Sequence, residues 1–168
     1  MIVAFSAVMI SFVALGVGIY EAHLERSFHS ASVWPRVEVF RSYNSKRFSY
    51  VVINSGIGPA IVKSAKVSLN DRYFSNWKEA VTATTQASPA EVFVGNSHIS
   101  NRVISPDKEL DILTISDKAL AKLLAQSDNL AIELCYCSVF DECWVTDRNN
   151  KPRPIGNCAV EETQMFQQ

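Results

Sequence analysis

Apolar residues fill the start of the chain without a break. From Ile2 to Tyr20, IVAFSAVMISFVALGVGIY, no charged residue occurs, and every Lys, Arg, Asp and Glu lies after it. As a helix this run would be about 28 Å long, close to the roughly 30 Å hydrocarbon thickness of a bilayer. It predicts a single membrane span over residues 2–20. A cleaved signal peptide normally opens with a basic segment and closes on a small-residue cleavage site; here no Lys or Arg precedes the run and Tyr20-Glu21 follows it. The polar stretch EAHLERSFHSASVW then continues as a helical stalk, with Leu24 and Phe28 four apart, until Trp34-Pro35 disfavours further helix.

From Val37 the period shortens from that of a helix to that of a strand. RVEVFRSY alternates, RFSYVVIN runs into a glycine-rich loop, and AIVKSAKVSL alternates again, which predicts three antiparallel strands in succession. SNWKEAVTATT predicts a short surface helix. EVFVGNSHISNRVIS and ELDILTIS return to strand character around a turn at Pro106-Asp107. DKALAKLLAQSDN predicts the best-defined helix of the domain, capped by Ser116, with Asp117 in its first turn and Leu120, Leu123 and Leu124 as its buried stripe. NLAIELCYCSVFDECWVTD reads as a hairpin turning near Phe140-Asp141-Glu142, Lys151 to Asn157 as a loop, and the last residues as a frayed end.

Composition adds little to that picture. A net charge of -1 argues against a nucleic-acid partner, which favours a basic face. Flanking charge sets an orientation: Arg26 and Arg36, then Arg41, Lys46 and Arg47, follow the span and nothing basic precedes it, so the positive-inside rule places the C-terminal domain in the cytoplasm, with a periplasmic location as the alternative.

The loop NSGIGPA, Asn54 to Ala60, decides between a phosphate cradle and a corner in a sheet. A phosphate loop leads its glycines into a helix N-terminus, whose free N–H groups hold the anion. Here they lead into Pro59 and a strand, and the Gly-Lys-Ser/Thr ending and the third glycine of the dinucleotide pattern are missing. Gly56 and Gly58 are explained instead by positive φ or by close backbone approach, with Asn54 bonding locally and Pro59 fixing the exit.

Four cysteines are the most chemical feature. Cys135 and Cys137 lie two apart on a strand and share one face, Leu134 and Tyr136 take the other, Cys143 lies across the hairpin, and Cys158 follows the loop. In a reducing cytoplasm all four are free thiols; in an exported domain they pair, Cys137 with Cys143 being the easiest bridge across the turn. Zinc on Cys135, Cys137, Cys143 and Cys158 is the third reading, weakened because neighbours two apart on a strand are spread by about 6 to 7 Å and Cys-x-x-Cys knuckles are absent. Elsewhere, His23 and His29 are six apart and fall on different helical faces. His98 has no nucleophile elbow beside it, Asp141 and Glu142 point apart at a hairpin tip, and Trp34, Trp77 and Trp144 read as packing or interfacial anchors. No catalytic set and no cofactor site emerges.

The N-terminal span, the entry SVWPRVEV with Trp34 and Pro35, the corner NSGIGPA and the late YCSVFDECW hairpin together resemble a group of small uncharacterised bacterial membrane proteins. That resemblance implies an immunoglobulin-like sandwich tethered to the inner membrane, with structural roles for Trp34, Pro35, Asn54, Gly56, Gly58 and Pro59 and no catalytic residue. Two departures are Asp141-Glu142 at the tip, where a glycine is common, and the paired cysteines.

The expectation is therefore a mainly β protein: a transmembrane helix and stalk over residues 1–33, then an antiparallel β-sandwich over 34–168 with one or two short surface helices. Its expected role is noncatalytic, a membrane-tethered interaction or accessory module whose partners are the bilayer, through residues 2–20, and another protein. The alternative is a thiol-based redox or zinc-binding module built on the four cysteines.

Overall fold

The computed structural model describes the backbone of residues 2–167 and the side chains there except those of residues 2–5, 8, 30 and 31. The chain divides into two compact units, Met1–Val33 and Trp34–Gln168. The first is a single helix, α1, Ile2–Ser32. The expected membrane span rests partly on residues 2–5 and 8, whose side chains lie outside the described residues. Among the described residues no helix is long and apolar enough to cross a membrane.

The second unit is mainly β, with two antiparallel sheets. In one, β1 (Val37–Asn44), β2 (Arg47–Asn54) and β6 (Glu109–Ile115) lie in the order β1-β2-β6. In the other, β3 (Ala60–Leu69) pairs with β7 (Leu130–Cys137), followed by β8 (Cys143–Asp147) and β9 (Arg153–Ile155). The opposite edge of β3 is shared by β4 (Arg72–Tyr73) and β5 (Arg102–Ile104). The two hairpins β1-β2 and β7-β8 and the long strand β3 lie where the alternation of the sequence predicts them.

One contiguous core takes side chains from both sheets and from two short helices, α2 (Trp77–Thr85) and α3 (Lys118–Gln126). Alternation explains the composition: Phe48, Tyr50 and Val52 point inward from β2, and Leu130, Ile132, Leu134 and Tyr136 from β7. An aromatic chain crosses the interior, Phe48 edge-on to Tyr50, Tyr50 stacked on Trp77, and Trp77 edge-on to Phe166.

Several expectations are corrected. Asp117, not Ser116, caps α3, its carboxylate accepting from the Ala119 and Leu120 N–H groups. Leu123 is exposed, and Ala121 joins Leu120 and Leu124 in the buried stripe, because the helix is short and only one narrow face meets the sheet. Lys151 to Asn157 is not loop throughout: β9 pairs Pro154 with Trp144, which its two prolines conceal in the sequence and its position as the outermost strand permits. The C-terminal residues are not frayed, since Phe166 is fully buried, its N–H donates to the Ala65 carbonyl, and that of Gln167 donates to Ser75. The stretch Glu91–Ser105 holds only β5 and a single bridge from Gly95 to Thr114.

Candidate functional site

Strand β7 reads LAIELCYC, and the same alternation that sends Leu134 and Tyr136 into the core sends Cys135 and Cys137 to the outer face of their sheet. The tight turn after β7 returns the chain so that Cys143 on β8 stands directly opposite Cys137. Ser138 N–H donates to the Glu142 carbonyl, and Asp141 takes a φ of 58°, a left-handed conformation that Asp tolerates. Strand β9 then carries the chain back across the sheet and delivers Cys158 over β7.

Both pairs are disulfides. Cys135 is bonded to Cys158 and Cys137 to Cys143, and no described cysteine is free. Of the three readings the sequence leaves open, the structure has the paired one. The predicted Cys137–Cys143 bridge is present; the partner of Cys135 was not legible, because it depends on where a loop returns. The two bonds also touch: the Cys137 sulfur is 3.7 Å from that of Cys158, and the Sγ atoms of Cys137, Cys143 and Cys158 all lie within 4.8 Å of one another. Cys135 is not among them, as the spacing of strand neighbours two apart predicts; the third sulfur of the group is instead that of Cys158, which approaches from a loop. As disulfides these sulfurs have no thiolate to offer a metal; only reduction would make them ligands.

The cluster is only partly covered. Cys135, Cys137 and Cys143 are buried and Cys158 is half-buried, and an open cleft of about 400 Å³ over them is lined by Cys137, Cys143, Cys158, Lys63 and Asp141. Lys63 reaches this face through a break in register. The β3–β7 pairing shifts between Val62, opposite Tyr136, and Ser64, opposite Cys135, leaving Lys63 as the extra residue of a bulge. Nearby on the same face Glu133 pairs with Lys66 at 3.4 Å and with Arg153 at 3.9 Å.

The NSGIGPA corner is a structural site. Asn54 is fully buried and saturated: Oδ1 accepts from the Arg36 N–H and the Gly56 N–H, each at 3.1 Å, and Nδ2 donates to the carbonyls of Gly58 at 2.8 Å and Ile104 at 2.9 Å. The amides that a phosphate would need are already used. Ser55 N–H donates to Arg36, Gly56 N–H to Asn54, and those of Ile57 and Gly58 to the Trp34 carbonyl. Gly56 is required by close approach: an added Cβ would sit 2.5 Å from the Trp34 oxygen and 2.7 Å from the Pro35 carbonyl carbon. Positive φ plays no part, since no described glycine has one. Pro35 is buried, Pro59 leads directly into β3, and Trp34 and Ile57 remain exposed on this rigid frame.

The other candidates stay apart. His98 is exposed, its carbonyl accepting from Arg102, and Asp141 and Glu142 are exposed at the hairpin tip. Trp77 is core, and Trp144 stacks on Tyr136 across the β7-β8 pair. One charged group had no local sequence signal because its members are remote in the chain: Asp128 accepts from Arg148 at 2.8 Å and pairs with Arg41 at 3.2 Å. The Arg148 hydrogen bond, followed by the charges of Arg148 and Arg41, holds the Asp128 carboxyl below its usual range. Burial pushes the neighbouring Tyr50 hydroxyl up, against the pull of the same two arginines.

Comparison of the chain with known protein families, with curated proteins and with solved structures finds no match.

Proposed function

We propose that the β domain is a noncatalytic interaction module held at a bacterial inner membrane by residues 2–20, with its two sheets arranged as an immunoglobulin-like sandwich. The tether is supported by the uncharged run from Ile2 to Tyr20. The sandwich reading is supported by two antiparallel sheets that share one core. The observation that carries the interaction role is the Asn54 corner, which displays Trp34 and Ile57 at 40% and 66% exposure on a backbone fixed by saturated hydrogen bonds. A pre-ordered apolar display loses little entropy when a protein partner covers it, and tryptophan is enriched among the residues that dominate interfaces.

Location follows from weighing two signals. The flanking Lys and Arg favour the cytoplasm, but folded domains are translocated with little regard to charge, whereas disulfides persist in oxidising compartments. We place the domain on the periplasmic side. The partner is tested by purification from detergent: a stoichiometric protein that copurifies with the native chain and is lost from Ile57→Asp supports the module. A monodisperse chain that carries nothing, or a partner retained by Ile57→Asp, counts against it.

A further inference from the structure

We propose that the four cysteines form a thiol–disulfide exchange site in which Cys137 is the pivot between the two bonds, and that its co-reactant is a dithiol entering through the cleft beside Lys63. Three observations carry this. The Cys137 sulfur sits in non-bonded contact with the Cys158 sulfur at 3.7 Å, so the atom that leaves one disulfide is already next to the other. The cleft opens on Cys143 and Cys158 as well as Cys137, which gives a reductant a sulfur to attack. Cys158 lies outside any helix or strand, so the bond it makes can change partner without breaking a ladder.

A thiolate of the reductant attacks the Cys143 sulfur, the Cys137–Cys143 bond breaks, and its electron pair leaves on Cys137. Cys137 thiolate attacks the Cys158 sulfur, the Cys135–Cys158 bond breaks, a Cys137–Cys158 bond forms, and the pair leaves on Cys135, which takes a proton from water. The second thiolate of the reductant then attacks its own sulfur in the mixed disulfide and releases Cys143 as a thiol. Two electrons and two protons have passed from the dithiol, now a cyclic disulfide, to the protein. The protein keeps one bond, moved two residues along β7 from Cys135 to Cys137. Lys63, on the bulge that lines the cleft, supplies the positive charge that favours the thiolates formed in each step, and Asp141 opposes it.

The test is limiting reduction of the full chain in detergent with dithiothreitol, acid quench, alkylation and peptide mass mapping. The expected singly reduced species carries one label on Cys135, one on Cys143, and an intact Cys137–Cys158 bond. Labels that fall only on Cys137 with Cys143, or only on Cys135 with Cys158, overturn the proposal. If reduction passes straight to four labels, Cys143→Ser decides: it leaves Cys137 without its partner, and a measurable share of Cys158 is then bonded to Cys137. Cys158 bonded wholly to Cys135, with Cys137 free, overturns the pivot.

Discussion

Two parts of the domain fasten a stray stretch of chain onto a sheet, and they use opposite chemistry. At the corner, Asn54 ties the Trp34–Arg36 entry, the glycine turn and the end of β5 together with four hydrogen bonds inside a sealed site. At the cysteine cluster the C-terminal segment is held against the outer face by one covalent bond, Cys135–Cys158, beside the hairpin bond Cys137–Cys143 and an open cleft. A saturated buried amide has no second arrangement of similar energy, since losing any partner strands a polar group. Two adjacent disulfides can, on the exchange proposed above, give one bond up to a dithiol and shift the other. The corner is therefore permanent and the cluster is conditional.

The largest effect falls on the corner. Gly56→Val places a side chain into the backbone of Trp34 and Pro35, and no soluble folded domain is expected; circular dichroism and thermal melting read this directly. Asn54→Ala leaves two amides and two carbonyls without their partner and costs about 3–5 kcal/mol in denaturant unfolding, with Asn54→Asp, which keeps only the acceptor side, in between. Equal stability of Asn54→Ala and the native chain would show that these four hydrogen bonds do not hold the corner.

The cluster comes next. Opening Cys135–Cys158 with Ser at both positions removes a loop of sequence separation 23 and costs about 3 kcal/mol, whereas opening Cys137–Cys143, separation 6, costs about 2 kcal/mol. Reductant reproduces the loss in the native chain and adds to the Asn54→Ala loss without coupling, because the two sites share no partner. A reductant effect that vanishes in Asn54→Ala would show that one fastening depends on the other.

Titration gives the smallest effects and serves as a control that touches neither fastening. Tyr50 has its folded pKa raised, so the folded state keeps a proton that the unfolded chain gives up. Its contribution is complete below about pH 10 and is lost as pH rises beyond it. In the absence of reductant, the unfolding free energy of the native chain should fall as pH rises through that range, and Tyr50→Phe should flatten that slope. Asp128 has the opposite sign: its folded pKa is lowered, so its contribution is present above the ordinary carboxylate range and fades as pH falls through it. Asp128→Asn is expected to remove a slight acid sensitivity of the melting temperature, slight because Asp128 is largely exposed.

How much of this was legible follows from where each signal lives. Period-two alternation is a local property, so β1, β2, β3 and the β7-β8 hairpin, and the shared face of Cys135 and Cys137, were readable from neighbours alone. The role of Asn54 was half readable. Its bond to Gly56 is local, but those to Arg36 and Ile104 are set by tertiary packing. Strand β9 was hidden because proline reads as a breaker unless the strand is known to be outermost. Cys158, Phe166 and the Arg41–Asp128–Arg148 group were not readable at all, since each meets residues far away in the chain. Conversely, the strongest feature of the sequence, the apolar run of residues 2–20, falls partly on side chains outside the described residues.

The ends of the larger sheet have a consequence for crowding. One margin is β9, three residues long with Pro154 at its centre, and the other is divided between the short β4 and β5. An incoming strand from a second copy finds a row of donors and acceptors too brief and too interrupted to zip onto. Molecules confined to a plane at high local density, as a tether would confine them, can collide edge to edge through this sheet without polymerising.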